Sequence, residues 1–133
     1  MTIHHFGLVV RSIQAYLPRS VWELRGQIVT DPLQSAKLCM VGLPGDAHAP
    51  LVELIEPLGP DGPCYRAQSQ DPLWHHVCFT FRNRGEADLF AEQGRMLGVT
   101  EWKPAVLFGG RPVRFVYGQN RELIELISDE VLR

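Results

Sequence analysis

Apolar and polar positions along this chain fall into one phrase that is written twice. His4-His5-Phe6-Gly7-Leu8-Val9-Val10 opens an apolar, strand-like run, and His75-His76-Val77-Cys78-Phe79-Thr80-Phe81 opens another. Further along, Leu51-Val52-Glu53-Leu54-Ile55-Glu56 is echoed by Leu123-Ile124-Glu125-Leu126-Ile127-Ser128. The offset is 71 for the histidines (5 to 76) and 72 for the glutamates (53 to 125). Self-similarity at a fixed offset marks a duplicated unit, here in two copies. A duplication brings matched strands of the copies face to face, so two histidines and two glutamates can meet at one point.

The same pattern predicts the elements. Ile3–Val10 reads as a strand. Ser12 to about Leu24 carries Ile13, Tyr16, Leu17, Val21 and Leu24 at helical spacing with Ser12 as N-cap, although Pro18 kinks such a rod. Gly26–Thr30 and Ala36–Gly42 read as short strands, and Pro44-Gly45-Asp46 turns the chain into the strand Leu51–Glu56. Gly59-Pro60-Asp61-Gly62-Pro63 is too rich in breakers to be an element. The second copy repeats the order: strand Leu73–Phe81, a helix from about Gly85 to Leu97 closed by Gly98, and a short strand near Val99–Lys103. Two last strands, Arg111–Tyr117 and Arg121–Ser128, are joined by Gly118-Gln119-Asn120. Gly109-Gly110 suits a hairpin turn or a loop closing over a ligand. The expected fold class is therefore α+β: two tandem βαβββ modules, about 1–58 and 73–128, with a linker of about 59–72, forming a curved mixed sheet around a metal cleft. One domain, 1–133, is expected, because a half of about 60 residues buries too little surface alone.

Strand alternation sorts each histidine pair. His5 shares a face with Ile3, Gly7 and Val9, and His4 shares the bulkier face with Phe6 and Leu8, which belongs to the helix-packed core. His76 goes with Trp74, Cys78 and Thr80, and His75 with Val77, Phe79 and Phe81. Glu53 lies with Leu51 and Ile55, and Glu125 with Leu123 and Ile127. The literal Glu-Leu-Ile-Glu of 53–56 also matches 122–125, which leaves a second register open for the glutamates.

Composition narrows the class. With 45% hydrophobic and 21% charged residues, and a net charge of −2 with no basic run, the chain reads as globular and not as a nucleic-acid or anionic-membrane binder. Its apolar stretches are too short to span a bilayer and no signal-type leader is seen, so cytoplasmic residence is expected. Cys39, Cys64 and Cys78 are odd in number and without a Cys-x-x-Cys, which points to buried or partly buried thiols and away from a disulfide framework.

These motifs resemble the vicinal oxygen chelate (glyoxalase/bleomycin resistance/dioxygenase) superfamily over nearly the whole chain, Ile3 to about Ser128, most like methylmalonyl-CoA epimerase and small glyoxalase I enzymes. His5-Phe6-Gly7-Leu8-Val9-Val10 resembles the family's His-(Ile/Leu)-Gly-Ile-Ala-Val strand, and Val52-Glu53-Leu54-Ile55-Glu56-Pro57-Leu58 its Glu-Leu-Leu-Glu-Pro-Leu strand. Leu73-Trp74-His75-His76-Val77-Cys78 is similar to Gly-Leu-His-His-(Ile/Met)-Ala, and Leu123-Ile124-Glu125-Leu126 to the closing Leu-Ile-Glu-Leu. The resemblance implies that His5, Glu53, His76 and Glu125 bind one divalent metal. Such an N/O donor set suits Mn, Co or Ni, or Zn with expanded coordination, and leaves positions for a bidentate substrate.

A metal so placed stabilises the enolate formed when a proton leaves a carbon next to a carbonyl, and Glu125 or Glu53 is the implied base. The implied activity is that of a metal-dependent isomerase or lyase on an acyl-CoA or thiol adduct, epimerase-like. Alternatives are a glyoxalase I-like lactoylglutathione lyase and a non-catalytic drug-binding protein of the same fold, a class that generally lacks a complete ligand set. Ring-cleaving dioxygenases use two histidines and one carboxylate on longer chains. Small-molecule substrate and a second copy of the chain are the expected partners, with neither nucleic acid nor membrane. Epimerases of this kind carry a further acid before the third strand, where Asp31 is the only acid of residues 30–37. His4, His48 and His75 are read as packing or surface residues and Trp22, Trp74 and Trp102 as packing groups, with Trp74, on the proposed cleft face, also placed to touch a substrate; Arg82, Arg84, Arg111 and Arg114 are read as solvated charges, with a phosphate or carboxylate as the alternative partner.

Overall fold

The computed structural model describes residues 1–60, 65 and 71–130; Asp61-Gly62-Pro63 of the expected linker and Cys64 lie outside the described residues. The fold is α+β. Backbone contacts divide it into two compact units, one of His5–His75 and one of Met1–His4 together with the chain from His76 onward.

The first unit follows the order β1 (Thr2–Val9), α1 (Ile13–Tyr16), β2 (Glu23–Asp31), β3 (Ala36–Gly42) and β4 (Leu51–Pro57). From His5 onward β1 runs parallel to β4, while β3 is antiparallel to both β4 and β2, giving the order β2-β3-β4-β1. Ser12 caps α1 as expected: its backbone is extended (φ −150) and its hydroxyl accepts from Ala15 N–H at 3.1 Å. The helix is shorter than its apolar spacing suggests. Pro18 sits in a 3-10 turn, Leu17–Arg19, and lacks the N–H that another α-turn requires. Val21 is consequently exposed and Leu24 belongs to β2. Leu8, Val10, Ile13, Cys39, Val41, Val52 and Leu54 form the core under α1, with Tyr16, Leu17 and Trp22 packed against it. Each fully buried leucine here contributes about 1.5–3 kcal/mol.

The second unit repeats the scheme with β5 (Leu73–Phe81), α2 (Arg84–Gln93), β6 (Leu97–Gly98), β7 (Lys103–Pro104), β8 (Pro112–Tyr117) and β9 (Leu123–Ser128). From His76 onward β5 pairs with β9 in parallel, β8 is antiparallel to β9, and both β6 and β7 pair with β8. Phe81, Ala87, Ala91, Val116, Ile124 and Leu126 make the core under α2.

Two expectations are corrected in this unit. The strand expected near 99–103 is replaced by β6 and β7, with the Val99 and Thr100 N–H groups both donating to Phe115 C=O between them. Helix α2 ends at Gln93 and not at Leu97, and Gly98 lies in β6. The left-handed closing position belongs to Arg95 (φ 52): Met96 N–H donates to Ala91 C=O and Arg95 N–H to Glu92 C=O, a Schellman closure with arginine where glycine is usual. Gly109 (φ 66) and Gly110 (φ 80) both take left-handed backbone inside a tight turn in which Ala105 N–H donates to Arg111 C=O, so the Gly-Gly is a hairpin device. Among the described residues no helix is long and apolar enough to cross a membrane.

Candidate metal-binding pairs

Each unit carries one histidine and one glutamate in the same geometric relation. In the first, parallel register sets Gly7 opposite Glu53, so Glu53 stands one same-face step beyond His5 on the adjacent strand. In the second, Cys78 stands opposite Glu125, one same-face step beyond His76. His5 Nε2 lies 3.8 Å from Glu53 Oε1, and His76 Nε2 lies 3.4 Å from Glu125 Oε1. All four residues are buried.

Their burial follows from the strands. In each unit the neighbouring residues of the other parity, Leu8 and Leu54 or Ile124 and Leu126, go into the helix-packed core. That leaves the histidine–glutamate face for smaller and mixed side chains. Across the antiparallel partner, Met40 stands opposite Glu53 and Phe115 opposite Glu125. Phe115 also stands edge-on to His76, with ring centroids 5.4 Å apart. Met40 and Phe115 carry no motif that marks them in the sequence. Alternation along their strands was the available signal, but it becomes readable only once the β3–β4 and β8–β9 registers are known.

The glutamate register is also settled within each unit. Glu56 Oε1 accepts from the first N–H of α1, Ile13, at 2.8 Å, so it is engaged at the helix start. Glu122 precedes β9, is exposed, and rests against Gly118. Glu125 is therefore the counterpart of Glu53. At the position matching Glu56 the second unit has Ser128, and there Glu130 takes over, its Oε2 accepting from Arg84 N–H at 3.0 Å.

The other candidates resolve as follows. His4 packs edge-on to Phe108 at 5.0 Å, and His48 is exposed in a turn. Trp22 and Trp102 pack against the two cores, their indole N–H groups donating to Tyr16 Oη and Asp88 Oδ1. Trp74 departs from the packing expectation, being 58% exposed. The arginines expected as solvated charges are ion-paired: Arg82 with Glu86, Arg84 with Glu130, Arg111 with Asp129 and Arg114 with Asp88. Asp31 is buried at the end of β2, where its carboxylate accepts from Leu33 N–H at 2.9 Å and holds the turn into β3. Burial, with the Glu53 carboxylate adding to it, pushes the Cys39 thiol up to about 11. A thiol so held is protonated at neutral pH in the metal-free protein.

The family model of the Glyoxalase/Bleomycin resistance protein/Dioxygenase superfamily matches residues 4–117. The chain belongs to this superfamily. No curated protein matches it. Among solved structures, this superfamily member is similar to hypothetical protein BH1468 from Bacillus halodurans C-125, with 21% identity, a TM-score of 0.79, and 99% of this chain and 96% of that one covered. It is also similar to methylmalonyl-CoA epimerase from Mycobacterium tuberculosis (15% identity, TM-score 0.77, 98% and 89% covered). A third is a Streptomyces coelicolor methylmalonyl-CoA epimerase variant in complex with 2-nitronate-propionyl-CoA (16% identity, TM-score 0.74, 98% and 99% covered). At these identities the likeness is one of fold.

The donor chemistry of each pair fits a divalent ion. Two ligand atoms about 2.1 Å from one ion stand roughly 3.0 Å apart at a right angle and about 3.4 Å apart at a tetrahedral angle. The His76–Glu125 separation already falls in that range, and His5–Glu53 exceeds it by a distance that a small side-chain rotation closes. Imidazole and carboxylate donors favour first-row divalent metals over calcium or magnesium.

Proposed function

We propose that His5, Glu53, His76 and Glu125 together hold one divalent ion, Co, Ni, Mn or Zn, and that the protein is a metal-dependent isomerase or lyase of the methylmalonyl-CoA epimerase type. The observation that carries this reading is the repetition of one buried histidine–glutamate geometry on the parallel strand pair of each unit. When bound, such an ion supplies Lewis-acid stabilisation of the negative charge that develops on a carbonyl oxygen.

The chain's own groups do the rest. Glu125, or Glu53 as its counterpart, takes the proton from the carbon next to the carbonyl, holds it on a carboxylate oxygen, and returns it. Met40 and Phe115 opposite the glutamates keep water from the carboxylates and so strengthen each charge interaction. The epimerases among the solved neighbours, one of them in complex with methylmalonyl-CoA, support an acyl-CoA as the first substrate. We also propose a cytoplasmic homodimer, whose stoichiometry sedimentation would report.

One observation favours a second reading. Asp31, the only acid in residues 30–37, holds the β2–β3 turn, and an epimerase needs proton transfer on both faces of one carbon. A glyoxalase I-like lyase acting on a thiol adduct is the alternative. Elemental analysis should find one ion per chain, and the metal-loaded protein should wash solvent deuterium into methylmalonyl-CoA or the methylglyoxal–thiol adduct. Tight binding of a small molecule with no deuterium incorporation into any of a broad set of acyl thioesters and hemithioacetals would instead make the protein a binding module.

A further inference from the structure

We infer that the second unit carries a separate binding site for the phosphate groups of an organic anion. Arg95, Leu97, Tyr117, Gly118, Gln119 and Arg121 line an open cavity of about 520 Å³. Two of the three non-glycine residues with left-handed backbone among the described residues, Arg95 (φ 52) and Arg121 (φ 65), lie in this one lining. Such a conformation costs an ordinary side chain free energy that glycine or asparagine avoids, and it recurs where a side chain is needed at that point. Each arginine is set there by its own turn, Arg95 in the closure of α2 and Arg121 in the β8–β9 turn, where its N–H donates to Gly118 C=O.

Charge pairing separates these two from the other described arginines of the second unit. Arg82, Arg84, Arg111 and Arg114 are each joined to a carboxylate, whereas neither Arg95 nor Arg121 has an ion-pair partner among the described residues. Glu122, resting against Gly118, is the carboxylate at this rim, which leaves two guanidinium groups against one negative charge. Gln119 is held by donating to Gly94 C=O at 3.0 Å, so its own carbonyl points away from that bond and its amide is fixed beside the cavity. Guanidinium forks match phosphate oxygens two at a time. Leu97 and Tyr117, register partners on β6 and β8 and both exposed, offer apolar and aromatic surface for the organic part of the ligand.

The cavity lies at the edge of the second unit, between the end of α2 and the β8–β9 turn, and its Leu97 and Tyr117 share the sheet face of Glu125. Tyr117 is one same-face step along β8 from Phe115, the register partner of Glu125, a distance of about 7 Å along the strand. Within the proposed function, on which this part rests, the site takes phosphates of the acyl carrier; a free phosphorylated ligand has the same chemistry. Coenzyme A and inorganic pyrophosphate are the two probes, titrated calorimetrically against wild type and the double variant Arg95→Asn, Arg121→Asn. Asparagine keeps the left-handed backbone while removing both charges. Both probes should weaken at least 10-fold in the variant. Tighter wild-type binding of coenzyme A than of pyrophosphate assigns the site to the carrier, and equal binding assigns it to a separate phosphate ligand. Unchanged affinity in the variant, or no binding of either probe to wild type at millimolar concentration, overturns the inference. Cobalt titration of the variant serves as a folding control. Pyrophosphate binding that disappears in the variant, together with absent proton exchange on every thioester, would leave this site standing while removing the proposed function.

Discussion

Replacing His76 by alanine tests the metal reading most directly, provided the measurement separates metal loss from packing loss. The ring is buried, lies 3.4 Å from Glu125 Oε1 and packs edge-on to Phe115, so truncation also leaves a void and lowers stability whether or not an ion is bound. Comparing each protein with its own chelated form cancels that term. An ion that binds only the folded state adds RT ln(1 + [M]/Kd), about 2.7 kcal/mol at a hundredfold excess over Kd. If loss of one of four ligands weakens binding ~100-fold, the increment for the variant at the same free metal falls to about 0.4 kcal/mol. The difference, about 2.3 kcal/mol, corresponds to roughly 9 °C in melting temperature for a chain of this size. The assay is a thermal melt of wild type and His76→Ala, each with cobalt or zinc and each with chelator. Metal-induced shifts of equal size in the two proteins, with His5→Ala behaving the same way, would refute the shared-ligand reasoning.

Glu125→Gln keeps the shape and a neutral oxygen donor but removes the base, so kcat for proton exchange should fall by at least 100-fold while substrate binding changes little, as read from steady-state kinetics beside equilibrium titration. Arg95→Gly relieves the left-handed strain at the end of α2 and should raise stability by about 0.5–1 kcal/mol after the extra freedom of glycine in the unfolded chain is counted, a shift visible in the urea midpoint. A fragment of residues 1–62 should show no cooperative thermal transition by circular dichroism, because a half of this size buries too little surface; a sharp transition in a monomeric fragment would contradict a single cooperative domain. Cys39, with its thiol raised to about 11, should resist alkylation in the folded protein at pH 8 and react only on unfolding, as peptide mass mapping would show. Its folded value lies above the ordinary one of 9.0, so its contribution to stability is complete below about pH 9 and is lost as pH rises towards 11.

Period and alternation alone determined a good deal of this protein. The repeated His-His and Leu-(Val/Ile)-Glu-Leu phrases located β1, β4, β5 and β9 within a residue or two: β4 and β9, buried on both faces, read as continuous apolar runs, and the His-His phrase marks the other two. Two-residue periodicity also sorted His5 from His4 and His76 from His75, since side-chain direction in a strand is a local property. Local signals failed where the chain's course depends on a partner. The helical spacing of Val21 and Leu24 was overridden once Pro18 broke the helix and β3 offered β2 its hydrogen bonds. The stretch 97–104 became two short strands because β8 pairs with it at only two places, and Arg95 closes α2 because left-handed geometry there is dictated by the bonds to Ala91 and Glu92 and not by the residue present. Pairing decided the rest: Gly7 opposite Glu53 and Cys78 opposite Glu125 is a statement about register between strands more than forty residues apart. Only the tertiary fold sets such a register, because it depends on which inter-strand hydrogen bonds and core contacts satisfy both strands at once.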